Sequence, residues 1–207
     1  LIRFTGSGVV GGVVTSASGA RITFRTTGFL DGVTLQGVNV SAGTEDVSTS
    51  TAVGTRVDIR NGLVFDGSIT LGRSGDCEWG VLNFLGSQTL GGSGTVIFTD
   101  MHNTACDSSE RNGLRIAEVE TTLTIGPSVT VNGSQGFIGY SSFHTGSQDF
   151  DLINYGQIRA TSAGAIVVRD RLITNYGTIA QAGSALNVIG DLINAGIVRP
   201  ARSGNLD

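Results

Sequence analysis

Apolar residues along this chain recur in short runs that alternate with Thr, Arg and Gln, the two-residue period of a half-buried strand. The clearest runs lie toward the C-terminus. Leu152-Ile153-Asn154-Tyr155-Gly156-Gln157-Ile158 is echoed by Leu172-Ile173-Thr174-Asn175-Tyr176-Gly177-Thr178-Ile179 and by Leu192-Ile193-Asn194-Ala195-Gly196-Ile197-Val198. Their asparagines recur at a nearly constant step, from Asn154 to Asn175 to Asn194. A second register, Gly164-Ala165-Ile166-Val167-Val168 against Ser184-Ala185-Leu186-Asn187-Val188, repeats at the same interval. Such a period is too short for a helical hairpin and predicts one turn of two or three short strands, with Ile, Leu and Val pointing inward. A single turn cannot bury its own apolar face. Stacking turns at about 4.8 Å makes a continuous core and pairs the backbone laterally. The expected fold is all-β: a right-handed parallel β-helix, or β-solenoid, with about 20 residues per regular turn.

The upstream pattern is looser. Leu30-Asp31-Gly32-Val33-Thr34-Leu35-Gln36-Gly37 matches Phe65-Asp66-Gly67-Ser68-Ile69-Thr70-Leu71-Gly72 in style. Gly91-Gly92-Ser93-Gly94-Thr95-Val96-Ile97-Phe98 and Leu123-Thr124-Ile125-Gly126-Pro127-Ser128-Val129-Thr130-Val131 follow the same grammar. The cognate glycines Gly32, Gly67 and Gly94 lie farther apart than one regular turn, which predicts loops inserted at 41–54, 72–80, 99–113 and 139–150. One solenoid segment over 1–207 is expected, with irregular turns in 1–120 and regular turns in 121–207. Insertions project from one face of a solenoid, and that face is where binding is expected. Ser203 to Asp207 opens another turn, with Leu206 one full period after Leu186. This predicts a piece of a longer chain, or a subunit that partners itself by end-to-end stacking.

The strings LDGVTLQG, LGGSGTV, LTIGPSVTVNG and NYGTIAQAGSALNVIGDLINAGIV resemble repeats of very large bacterial secreted β-solenoid proteins, relatives of the filamentous-haemagglutinin and autotransporter-passenger adhesins. The resemblance covers most of the chain and is best from about residue 120 onward. It implies an elongated rod exported to the cell surface or beyond, and it carries over no catalytic residue.

Composition narrows the partners. Charged residues make up 14% of the chain and all 13 basic residues are Arg, against 17 Asp and Glu. A net charge of −4 with scattered arginines offers no footprint for nucleic acid. No stretch approaches the roughly 20 apolar residues of a membrane helix. A host or environmental glycan remains the expected external ligand.

Candidate residues follow from the repeat. Asn154, Asn175 and Asn194 are predicted to stack as an internal amide ladder, since an unsatisfied buried amide costs about 1–3 kcal/mol. Tyr155 and Tyr176 fall side by side one turn apart. Cys77 and Cys106 each follow a cognate strand, Ile69–Leu71 and Val96–Phe98, and are expected to form a disulfide. Their spacing is not that of a zinc site. His102 and His144 read as loop surface. Asp170 and Asp191, at equivalent positions of successive turns, are expected to stack along one edge with Arg169 and Arg171 nearby. They are the carboxylates to test in a pectate-lyase-like polysaccharide enzyme, with Asp149 and Asp151 as further candidates. No other cofactor is expected beyond weak Ca²⁺ at Glu45-Asp46 or Asp107 to Glu110. The reading is a non-enzymatic structural or adhesive rod of a surface adhesin or extracellular filament, with a polysaccharide-binding or polysaccharide-cleaving β-helix and a phage tailspike-like fibre as alternatives.

Overall fold

A computed structural model describes residues 1–16, 20–43, 54–75, 77–100, 110–162 and 164–201. The chain is all-β, with no helix among these residues. Every strand pairing described is parallel. Two long sheets result, one of nine strands and one of twelve.

The larger sheet runs as two lanes. Strand Gly54–Phe65 pairs through its first half with Trp79–Phe84 and through its second with Gln88–Gly92. Strand Ala165–Asn175 does the same with Gly136–Gly139 and Phe150–Asn154. Register shifts at Asp31/Val33 and Arg169/Leu172 mark the seam between the lanes. The chain therefore visits the nine-stranded sheet, the first lane and the second lane in turn, a path compatible with a β-solenoid.

Side chains stack because each strand lies over its own counterpart. In the nine-stranded sheet Ile22, Val40, Ile69, Val96, Val131, Ile158, Ile179 and Val198 form one in-register row. The first seven are buried, each contributing about 1.5–3 kcal/mol by leaving water. β-Branched residues suit this site because their stiff χ1 angles pack on a pleated surface. Phenylalanines fill the corners where glycine makes room. A Cβ at Gly94 would lie 2.3 Å from the Phe65 ring, and one at Gly136 would lie 2.1 Å from that of Phe98.

Insertions occur where expected, within two residues. The chain leaves the nine-stranded sheet at Ala42, Leu71 and Phe98 and enters the first lane at Gly54, Trp79 and Gly113. Three long connections thus share one corner. A fourth, between Gly139 and Phe150, sits at the opposite edge of the first lane.

One upstream alignment needs correcting. Val33 pairs with Leu63 and Leu35 with Phe65, whereas Ile69 pairs with Val40. Segments 30–37 and 65–72 therefore sit at different corners, and the spacing from Gly32 to Gly67 is not a register. An Asp-Gly turn followed by alternation serves both corners, so the local pattern does not distinguish them.

Candidate functional site

Residues of the first lane that point away from the core ought to be polar, but one row is not. Arg56, Val81, Gly113, Phe137, Val167 and Asn187 lie in register along that outer face. Val81, Phe137 and Val167 are buried and form a second, external core with Trp79 against it. The insertion between Gly139 and Phe150 folds back over this strip. The Ser141 hydroxyl donates to the Glu110 carbonyl (2.7 Å) and accepts the N–H groups of Phe143 (3.1 Å) and His144 (3.2 Å). His144 Nε2–H donates to the Arg111 carbonyl (2.8 Å). Two insertions are thereby pinned to each other across the lane.

Beside the apolar strip runs a polar row: Asp58, Asn83, Arg115, Gly139, Arg169 and Ile189. Asn83 Nδ2 donates to Asp58 Oδ1 (2.8 Å), and Arg115 Nη1 donates to Asn83 Oδ1 (2.7 Å). Glu110 joins from its loop, pairing with Arg169 at 2.8 Å and accepting from the Ser142 N–H and hydroxyl. Burial pushes the Glu110 carboxyl up, but the Ser142 bonds and the Arg169 guanidinium outweigh it and hold the group below the usual carboxylate range. Tyr140 lies under Arg169, its ring centroid 5.5 Å from the guanidinium carbon.

Aromatic and cationic groups converge on His144. Trp79 meets its ring edge-on at 4.6 Å, Phe143 at 4.9 Å, and Phe137 lies at 5.4 Å. Arg111 covers the face of Phe143 at 4.6 Å. Burial, then the charges of Arg56, Arg115 and Arg111, push His144 down to about 4 against the opposing pull of the Arg111 carbonyl bond. His144 is therefore a neutral packing element at physiological pH, not the loop-surface residue the sequence predicts. His102 lies outside the described residues.

The amide ladder runs through the core of the second lane. Asn154 Nδ2 donates to Asn175 Oδ1 (2.8 Å), and Asn175 Nδ2 donates to Asn194 Oδ1 (2.7 Å). Outside it, the rings of Tyr155 and Tyr176 stack at 4.9 Å and 9°. Among the described residues no cysteine is free; Cys106 lies outside them. The strands preceding the two cysteines are direct neighbours, with Val96 on Ile69.

The carboxylates are arranged differently from the expectation. Asp191 pairs with Leu172 rather than with Asp170, because the bulge at Arg169/Leu172 shifts the register. Asp170 follows Ile166 and Val168 on the inward face of its strand: it is 4% exposed, and neither carboxyl oxygen has a hydrogen-bond partner. Burial, with the Asp151 charge adding, raises its pKa well above the ordinary value. Arg171 turns to the other pair, at 3.0 Å from both Asp149 and Asp151. A cleft of about 270 Å³ lies here, lined by Gln148, Arg169, Asp170, Arg171, Ile189, Gly190 and Asp191. No group of three or more His, Cys, Asp or Glu among the described residues is placed to hold a metal ion; Glu45, Asp46 and Asp107 lie outside them.

Sequence reasoning missed Trp79, Phe137, Phe143, Glu110 and the arginines Arg56, Arg111 and Arg115 as one assembly. No family model matches the chain, and no curated protein or solved structure shows significant similarity to it.

Proposed function

We propose that this chain is a segment of a right-handed parallel β-solenoid that serves as a structural or adhesive rod of an extracellular surface adhesin or filament. In this reading the turn is about 20 residues long where regular and longer where loops are inserted. The observation that carries it is the in-register row from Ile22 to Val198, which continues past four insertions without a break. A molecule built this way is stiff along its axis and free to vary at its corners. Recognition belongs to the insertions that border the first lane, where Ser141 and His144 are bonded to Glu110 and Arg111. A Cys77–Cys106 bridge ties two consecutive turns there, contributing about 3–4 kcal/mol through the closed loop. A thiol reagent that labels the folded protein without prior reduction would remove that bridge.

Catalysis by stacked carboxylates is the weaker reading. Asp170 and Asp191 are out of register, the Asp170 oxygens are shut off from solvent, and Asp149 and Asp151 both face Arg171. Negative-stain electron microscopy of the purified protein tests the rod. Nine strands at about 4.8 Å spacing predict a particle roughly 40 Å along its axis, and uniform fibres would add end-to-end self-association. Round particles with no long axis would sink the proposal.

A further inference from the structure

We propose that the looped outer face of the first lane binds the carboxylate of an acidic sugar, gripped by Arg56, Arg111 and Arg115 against the rings of Trp79 and Phe143. This rests on the rod reading and names what its looped face recognises.

The first argument is charge. All three guanidinium groups lie close enough to His144 to depress its protonation, and Arg115 is itself disfavoured first by burial and then by the Arg56 charge, with the Asp58 charge opposing. Like charges gathered this way repel unless something anionic sits among them. The neighbouring acids leave the cluster only partly balanced, Asp58 alone opposing the repulsion on Arg115. Glu110 serves Arg169 and Ser142, and Asp58 serves Asn83 and lies 3.6 Å from Arg60. None of the three arginines makes an ion pair with a carboxylate among the described residues. The Nε atoms of Arg56 and Arg111 are buried with no hydrogen-bond partner, a state that a bound anion would relieve.

The second argument is shape and surface. Trp79 lies over Gly54, where a Cβ would overlap the indole at 1.8 Å, and its ring meets Phe143 edge-on at 5.9 Å. Phe143 is 43% exposed, with the Arg111 guanidinium above it. An apolar ring beside a planar donor fork complements a uronic acid: the C–H face of the pyranose rests on the ring, and the carboxylate takes two parallel N–H bonds. Since the whole chain carries −4, the attraction is local to these residues rather than a general affinity for polyanions.

The third argument is strain. Thr145, a β-branched residue, sits at φ +54°, and its carbonyl accepts from Arg115 Nε (3.4 Å) and Nη2 (3.2 Å). Gly146 follows at φ +123°, where a Cβ would come within 2.8 Å of Arg115 Nη2. The turn is moulded around this guanidinium, and backbone strain of this kind collects at ligand clamps.

The test presents the intact protein with immobilised polygalacturonate, dextran sulfate and neutral dextran. Binding to polygalacturonate in preference to both others is expected. Arg56→Lys and Arg111→Lys keep the charge but lose the planar fork, and each should weaken binding about tenfold. Phe143→Ala, at a partly exposed ring, should weaken it as well, while Arg159→Ala on the nine-stranded sheet should not. Circular dichroism and electron micrographs check that each variant remains a folded rod. Dextran sulfate binding as tightly as polygalacturonate, or lysine variants binding like the parent, would overturn the site. Well-formed rods that bind no polysaccharide would also overturn it while leaving the rod reading intact; particles that are not rods would defeat that reading first.

Discussion

One row of the second lane changes chemistry partway along the molecule. Val33, Leu63, Leu90 and Ile125 occupy it in the looped part, and Asn154, Asn175 and Asn194 continue it in the regular part. The aliphatic stretch takes long and unequal steps along the chain, from Val33 to Leu63, to Leu90, to Ile125. The amide stretch takes short and nearly equal ones. Dispersion between aliphatic chains has no direction, so neighbours tolerate changes in how the chain arrives. An amide needs an identical partner at hydrogen-bond distance above and below, and any lateral displacement leaves polar atoms unpaired. The long insertions all precede the ladder. A row of the nine-stranded sheet also changes, from Phe24, Ala42, Leu71 and Phe98 to Gly133, Ala160 and Gln181.

Exchanging the two chemistries gives the largest expected effect. Leu90→Asn places an amide between Leu63 and Ile125 with no partner, and should cost about 4–5 kcal/mol in urea unfolding. Ile125→Asn removes comparable volume but puts a donor beneath Asn154, whose Oδ1 has no partner. It should be milder by about 1–2 kcal/mol. Equal losses at the two positions would show that the ladder is not extendable and that the comparison is only one of volume. Asn175→Ala comes next, at about 2–3 kcal/mol, because it strips one bond from Asn154 and one from Asn194. A loss below about 0.5 kcal/mol would mean the backbone alone sets the regular spacing.

Asp170 lies at the seam of the regular part and makes stability there depend on pH. Its pKa is raised in the fold by burial and then by Asp151, so the folded state holds the proton more tightly than the unfolded chain. Its contribution is therefore fully present below the unfolded value, about 3.9. It is lost as pH rises toward the raised folded value, with a slope of up to about 1.4 kcal/mol per pH unit. Asp170→Asn should flatten that decline. Unfolding midpoints taken from pH 4 to 8 that fall in parallel for parent and variant would contradict the assignment.

The regular part was legible in the sequence because each residue there does one job. The repeat of Asn154, Asn175 and Asn194 gave both spacing and ladder, since amides that must bond each other must also recur. The looped part was harder, for two physical reasons. Asp-Gly turns look alike at every corner, so residues 30–37 and 65–72 aligned across different corners. The outer core, in turn, depends on an insertion folding back, which no local pattern states. A signal was nevertheless present: Val81-Leu82, Phe137-Ile138 and Val167-Val168 are adjacent apolar pairs. In a strand such neighbours point to opposite faces, so a pair demands burial on both. Three pairs in register imply a covered outer face. Asp170 escaped for a related reason: it follows Ile166 and Val168 on the inward face at a two-residue step, but its apparent match with Asp191 runs across a register shift that the sequence does not mark.

The smallest expected effect lies on the outside of the regular part. Tyr155 and Tyr176 are 45% and 51% exposed and stack nearly parallel, continuing the ladder's one-turn repeat on the surface. If this stack reinforces the spacing that the amides impose, the two rings are energetically coupled, at about 0.5–1.5 kcal/mol. A double-mutant cycle with Tyr155→Ala, Tyr176→Ala and both together isolates that coupling from lost area. The cycle should be run in the parent and again with Asn175→Ala. A coupling that shrinks once the ladder is cut would show inner and outer rows acting as one unit. A coupling that persists unchanged would mean that the strand pairing from Asn154 to Asn175 holds the rings in place without the ladder. Zero coupling in both backgrounds would leave the rings as independent surface residues, and the regular part would owe its spacing to its interior alone.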